Sequence, residues 1–282
     1  MRWLLEHWRE LARSILGSFG AIFLSLEAYE VLTDGNIQMS FLGFLAVGVL
    51  PGLGLFFLDG YRLSGFLRRE VQVPNPSNDT KIIVKFGDLF AETGWKAIGV
   101  NDFFDNIVDE DLVSSRSLHG FVLNNYWTEN RRDWEKQISS SLRRSTGQIE
   151  CRSKGNRTRY PIGTTARACT STQKFLFVAL GRTDAQSNVT TANAEMLICA
   201  VRGMVSEARA ACSMEPLVIP LMGSGMSRVG VKSSVLVDLI ITAVLEESRH
   251  GRVTGKIVIV LPEDKSNEVN LKNHVRNWSD GK

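Results

Sequence analysis

The chain has 282 residues, and its 33 basic and 30 acidic side chains leave a formal net charge of only +3. That balance speaks against a nucleic-acid partner, whose electrostatic footprint is a strong basic excess. With 44% hydrophobic and 22% charged residues the chain is neither disordered nor collagen-like, and its length exceeds one minimal domain.

The N-terminal region is apolar. Residues 14–26 carry no charge, and neither does the 24-residue run from Gly35 to Leu58. A helix needs about 20 apolar residues to cross a bilayer, so the expectation is a transmembrane helical hairpin with spans at about residues 11–31 and 37–58, turned at Thr33-Asp34-Gly35-Asn36. The competing readings are a buried hairpin of a soluble core, and a signal peptide followed by one anchor. The second fits poorly, because Glu27-Ala-Tyr-Glu30 follows Leu26 where small residues are required. Arg2, Arg9 and Arg13 precede the first span, Arg62, Arg68 and Arg69 follow the second, and the turn has neither Lys nor Arg. The positive-inside rule then puts both termini in the cytoplasm and the turn outside. Gly43, Gly48, Gly52 and Gly54 offer the second span close-packing surfaces for other helices. Glu27 and Glu30, one turn apart, read as an interfacial pair or as pore-facing carboxylates.

Val73-Pro-Asn-Pro-Ser-Asn-Asp79 reads as an extended linker, dividing a hairpin region, 1–72, from a soluble domain, 80–282. Within that domain, strands are predicted at 81–86, 95–100, 158–162, 175–180, 217–221 and 256–261. Helices are predicted at 115–127, 131–144, 191–212, 231–247 and 267–278. Strands alternating with helices define an α/β fold, a sandwich on a parallel or mixed sheet. Four cysteines without a CxxC pair (Cys151, Cys169, Cys199, Cys212) read as reduced thiols. His7, His119, His250 and His274 lack metal-ligand spacing and read as structural or exposed. No metal and no cofactor are expected.

Sheets of this kind bind ligands at the carboxyl ends of their strands, and three strand ends carry candidate residues. Pro220-Leu-Met-Gly-Ser-Gly-Met-Ser-Arg-Val-Gly230 is a glycine-rich strand-to-helix loop. It is either an anion cradle, with Arg228 adding a charge-assisted hydrogen bond, or an ordinary turn. Asp88, in Gly87-Asp-Leu-Phe90, either accepts a hydrogen bond from an exocyclic amine or forms a turn. In Gly99-Val-Asn-Asp-Phe-Phe-Asp105 the polar groups can meet a ribose, while Ser114 and Ser115 can cap the next helix or donate to a ligand.

The order strand, Gly87-Asp88-Leu89, strand, Val100-Asn101, long helix, strand, Pro220–Arg228 resembles a macro domain. With Tyr160-Pro-Ile-Gly-Thr-Thr165, Phe175–Asp184 and the hairpin, the whole chain resembles the membrane-anchored macro-domain effectors of Thoeris-type anti-phage defence. The resemblance implies a macro-domain-like α/β/α sandwich behind the hairpin. It also implies a bacterial inner-membrane location and a ligand derived from ADP-ribose, a histidine conjugate made by a TIR-domain partner. Because a hairpin alone encloses no pore, several chains are expected to assemble into a homo-oligomer. The resemblance places Asp88 at the adenine amine, Gly223, Ser224, Gly225, Met226 and Ser227 in the diphosphate loop, and Asn101 in the loop that faces the distal ribose; Leu89 and Arg228 are candidates beside them. Common macro domains follow Val-Asn with Ala-Ala-Asn, whereas this chain has Asp102-Phe103-Phe104-Asp105. That departure counts against the runner-up reading, a membrane-tethered hydrolase of ADP-ribose derivatives, and makes Asp102 a further candidate near the distal group. The stretch from Arg131 to Arg159 holds nine basic residues against three acidic ones and reads as a solvated face or a contact for anionic headgroups.

Overall fold

The structure, a computed structural model, describes residues 7–33, 35, 40–225 and 229–279. The chain forms two compact units. One runs to Arg69 and takes in Asn270–Asn273; the other runs over Glu70–Val269 and resumes at His274.

In the first unit α1 (Trp8–Thr33) and α2 (Phe41–Leu58) pack against each other. Both are long and apolar enough to cross a membrane, α2 together with the π-helical turn Asp59–Leu63 that continues it, and Leu16, Phe23, Leu24, Val31, Leu32, Phe41, Leu42 and Leu50 are exposed along them. Ser40 caps α2 by accepting a hydrogen bond from the Gly43 N–H at 3.1 Å. Asp34, Asn36 and the predicted start of the second span at 37–39 lie outside the described residues. The glycines divide their work differently from the sequence reading. Gly48 and Gly52 are used inside the hairpin: a Cβ at Gly48 would stand 2.1 Å from the Phe19 ring, and one at Gly52 2.7 Å from the Ile15 Cα. Gly54, and Gly17 and Gly20 on α1, have nothing within 4 Å.

The second unit is built on a mixed sheet. Its strands are β1 (Glu70–Val73), β2 (Lys81–Phe86), β3 (Trp95–Asn101), β6 (Thr165–Cys169), β7 (Lys174–Thr183), β9 (Leu217–Pro220) and β10 (Lys256–Leu261). Their order is β1-β2-β10-β9-β3-β7-β6. The five inner strands run parallel and the two outer ones antiparallel; short β8 (Thr190–Thr191) pairs with the end of β7, and β4 (Gln148–Ile149) with β5 (Thr158–Arg159). β7 and β10 are buried on both faces, which is why they read as unbroken apolar runs. Phe175 and Phe177 of β7 join a core with Val122, Leu123 and Trp127 of α3 (Leu118–Tyr126) and its C-cap, and with Trp134 and Ile138 of α4 (Arg131–Ser141). On α5 (Ala194–Ala211) the buried residues Leu197, Ala200, Val201, Met204, Val205 and Ala208 recur at helical spacing. This stripe packs α5 on β7 and on α6 (Ser233–Ser248). A last helix, α7, spans Leu271–Ser279. The result is the expected α/β/α sandwich with a mixed sheet.

Three boundaries differ from the sequence reading. β1 adds a strand before the supposed linker, and the following Pro/Asn/Ser stretch is a fixed loop. Asn75 Nδ2 donates to the Thr80 carbonyl at 3.1 Å, and Asn78 Nδ2 to that of Ser248 at 2.7 Å. α3 begins at Leu118 because Ser117, rather than Ser114 or Ser115, accepts from the Gly120 N–H. Residues 160–162 are not strand; β6 was missed because Thr-Ala-Arg-Ala-Cys carries only small residues on its buried face.

Candidate ligand-binding crevice

The carboxyl ends of β2, β3, β7, β9 and β10 lie together, as parallel pairing requires, and two adjoining cavities open there. The first, about 380 Å³, is lined by Asp88, Leu89 and Phe90 after β2, by Arg116 to His119 at the start of α3, and by Pro220 to Gly225 after β9. The second, about 370 Å³, is lined by Asn101, Glu110 to Ser114 and Ser187 to Thr190. Gly99, Ser117 and His119 border both. Their size is that of small-molecule sites.

The glycine loop shapes the first cavity. Gly223 has φ +83°, and a Cβ there would meet the Val229 side chain at 2.6 Å. Gly225 faces open space. Ser224 Oγ donates to the Leu221 carbonyl at 2.9 Å and steadies the turn. Asp88 accepts from the Phe90 N–H at 2.9 Å, capping the short 3₁₀ turn Leu89–Ala91. The turn reading of Asp88 and its place on a cavity wall are therefore both realised. Phe90, whose ring lies 5.0 Å from that of Phe121, adds an apolar wall that the sequence did not single out.

In the second cavity the Asn101 side chain is engaged: Nδ2 donates to Asp105 at 2.8 Å and Oδ1 accepts from the Asp105 N–H. The Ser115 hydroxyl, the Ser115 N–H and Ser114 Oγ donate to Glu110, and these bonds, in that order of weight, hold the Glu110 carboxyl down at about 2. Ser114 borders the cavity, whereas Ser115 lines neither. Asp102 is set apart from the crevice, contrary to its candidacy. Its side chain is sealed from solvent, accepting from the Thr183 N–H at 3.0 Å and from Arg159 at 2.8 Å. Burial pushes its carboxyl up, against the pull of those donors. Just before Asp102 the β3–β7 pairing shifts register: Val100 pairs with Ala179 and Asn101 with Gly181, so the extra residue, Leu180, lies on β7. Met226, Ser227 and Arg228 lie outside the described residues; among those described, Arg116 is the cation on the first cavity's wall.

His119, read from the sequence as structural or exposed, borders both cavities. It is buried, and Nε2 has no hydrogen-bond partner. Burial, reinforced by the Arg131 guanidinium, pushes the imidazole down to about 3, so it is neutral at pH 7. In the unfolded chain it takes up a proton below about 6.5. Folding stability is therefore whole above that pH and is lost as the pH falls towards 3, by about 5 kcal/mol in all. Chemical denaturation of His119→Phe between pH 7 and pH 3 is expected to show a correspondingly shallower loss than the parent.

A sheet of this order, with a glycine loop and an acidic strand end meeting at one crevice, defines a macro domain. A macrodomain variant from Oceanobacillus iheyensis, solved with ADPR, matches at a TM-score of 0.50 and 11% identity, over 76% of this chain and all of that one. A second variant of the same macrodomain matches at 0.50 and 10% identity, over 75% of this chain and 94% of its own. The family described as "Thoeris protein ThsA, Macro domain" matches residues 82–262, and the chain belongs to that family. It is 23% identical to the Thoeris protein ThsA of Bacillus amyloliquefaciens (strain Y2) over 203 residues, 69% of this chain and 66% of that relative.

Proposed function

We propose that the chain is a membrane effector of bacterial anti-phage defence whose cytoplasmic macro domain binds an ADP-ribose-derived signal. The signal is a histidine conjugate produced by a TIR-domain partner. The observation that carries this reading is the pair of adjoining cavities in a ThsA macro domain. An adenine at Asp88 and Leu89 and a diphosphate at Gly223–Gly225 fill the first; a distal ribose at Asn101 and Ser114, with its substituent, fills the second. The exposed apolar surfaces of α1 and α2 support membrane insertion; the Arg flanks of the two spans, with no Lys or Arg in the turn, are the argument for cytoplasmic termini at the inner membrane. Because two helices enclose no pore, several chains associate to open a water path. A ligand favours that assembly only by binding the assembled state more tightly.

Binding is favoured over hydrolysis by the state of the polar groups. A histidine whose conjugate acid titrates at about 3 is a weak general base near neutral pH, and Asp102 is sealed behind Arg159. The full chain, reconstituted in dye-loaded liposomes with the histidine conjugate of ADP-ribose, is expected to release dye and to return the ligand chemically intact. Equal release with and without ligand contradicts the effector reading. Conversion of the ligand to ADP-ribose establishes the hydrolase instead.

A further inference from the structure

The two cavities differ in how their walls are held. The first rests on turns local in sequence; the second is tied to a side chain that lines neither cavity. Arg152 is buried and donates from Nη1 to Asp105 Oδ2 at 2.7 Å, both side chains being wholly shielded from solvent. The other side of the same guanidinium, Nε and Nη2, donates to Asn188 Oδ1 at 3.1 and 2.9 Å. Asp105 in turn receives the Asn101 amide, and Asn188 donates to Asp111 at 3.1 Å. Asn101, Asp111 and Asn188 all line the second cavity, and one fork spans the two loops that carry them. The Phe103 ring lies 4.3 Å from the Arg152 guanidinium and 4.6 Å from that of Arg159, which fixes the plane of the fork.

We propose that Arg152 is a positioning residue that sets the shape of the second cavity and with it the chain's preference for ligands extending beyond a nucleoside diphosphate. The inference rests on the reading that the crevice binds ADP-ribose derivatives, and deepens it. Lysine at 152 keeps a charge opposite Asp105 but lacks the fork that also reaches Asn188. Glycine at 188 suits that residue's φ of +57° and removes the amide while leaving the buried ion pair intact.

The test is a double-mutant cycle on the full chain in detergent, with the parent, Arg152→Lys, Asn188→Gly and the double variant each titrated with ADP and ADP-ribose by calorimetry. Arg152→Lys is expected to keep ADP affinity within about twofold and to shrink the advantage of ADP-ribose over ADP by about tenfold, the size of one or two hydrogen bonds. Adding Asn188→Gly to Arg152→Lys is expected to change that advantage by no more than about twofold further, because both act on the same wall. Should Arg152→Lys not fold, the paired Arg152→Gln/Asp105→Asn variant removes both buried charges together and takes its place with the same expectation. Parallel loss of ADP and ADP-ribose overturns the proposal in favour of a purely structural Arg152, as does an unchanged or additive preference. A parent that binds both ligands equally overturns the proposal alone; a parent that binds neither overturns the reading of the crevice with it.

Discussion

Gly225→Val is expected to lower affinity for ADP-ribose by about 100-fold or more while leaving the fold intact. A diphosphate held by backbone N–H groups needs the loop backbone within hydrogen-bond reach, and a branched side chain on the cavity wall keeps it away. Two charge-assisted bonds lost, at about 1.5–3 kcal/mol each, give that magnitude. The fold tolerates the change because a Cβ at Gly225 meets nothing within 4 Å, so stability stays within about 0.5 kcal/mol of the parent. Gly223→Val is a poor substitute: the positive φ and the Val229 side chain strain the folded state itself. Calorimetry together with thermal denaturation separates the two effects. Parent-like affinity in a folded Gly225→Val chain contradicts a diphosphate at this loop.

The second large effect lies in the hairpin. Gly52→Leu is expected to separate α1 from α2 and to abolish membrane leakage while sparing ligand binding. The obstruction at Gly52 is backbone, with Ile15 Cα at 2.7 Å and Ile15 N at 3.3 Å of an added Cβ, so the helices themselves must move apart. At Gly48 the obstruction is the Phe19 ring, which can turn aside, so Gly48→Leu is expected to be milder. Overpacking commonly costs about 1–3 kcal/mol, and a backbone clash sits at or above the top of that range. Gly54→Leu, on a surface with no neighbour, keeps the hairpin and bears only on association between chains. Fluorescence transfer between labels on α1 and α2 reads the first effect and dye release the second. A Gly52→Leu chain that leaks as the parent does contradicts a role for the intact hairpin.

Which parts of the molecule could be read in advance follows from how local their causes are. β2 and β10 were legible because Ile82, Val84, Ile257 and Ile259 follow strand patterning in short runs bounded by turn residues. α5 was legible from the helical recurrence of its apolar stripe. The glycine loop and Asp88 were legible as turns at strand ends, because Gly and Asp after an apolar run mark where a strand stops. The failures are cases where direction, not identity, matters. Nothing in Val-Asn-Asp tells that Asp102 will be claimed by Thr183 and Arg159, and three serines at 114, 115 and 117 compete equally for one cap until the turn at Glu110 selects Ser117. His119 and Arg152 take their places through tertiary neighbours: Phe177 for the one, Asp105 and Asn188 for the other.

Calorimetric titration of the full chain in detergent with ADP-ribose tests the central claim most directly. The expected result is saturable heat from one site per chain, tighter for the histidine conjugate and lost in Gly225→Val; no heat from either ligand, or equal heat from Gly225→Val, contradicts it.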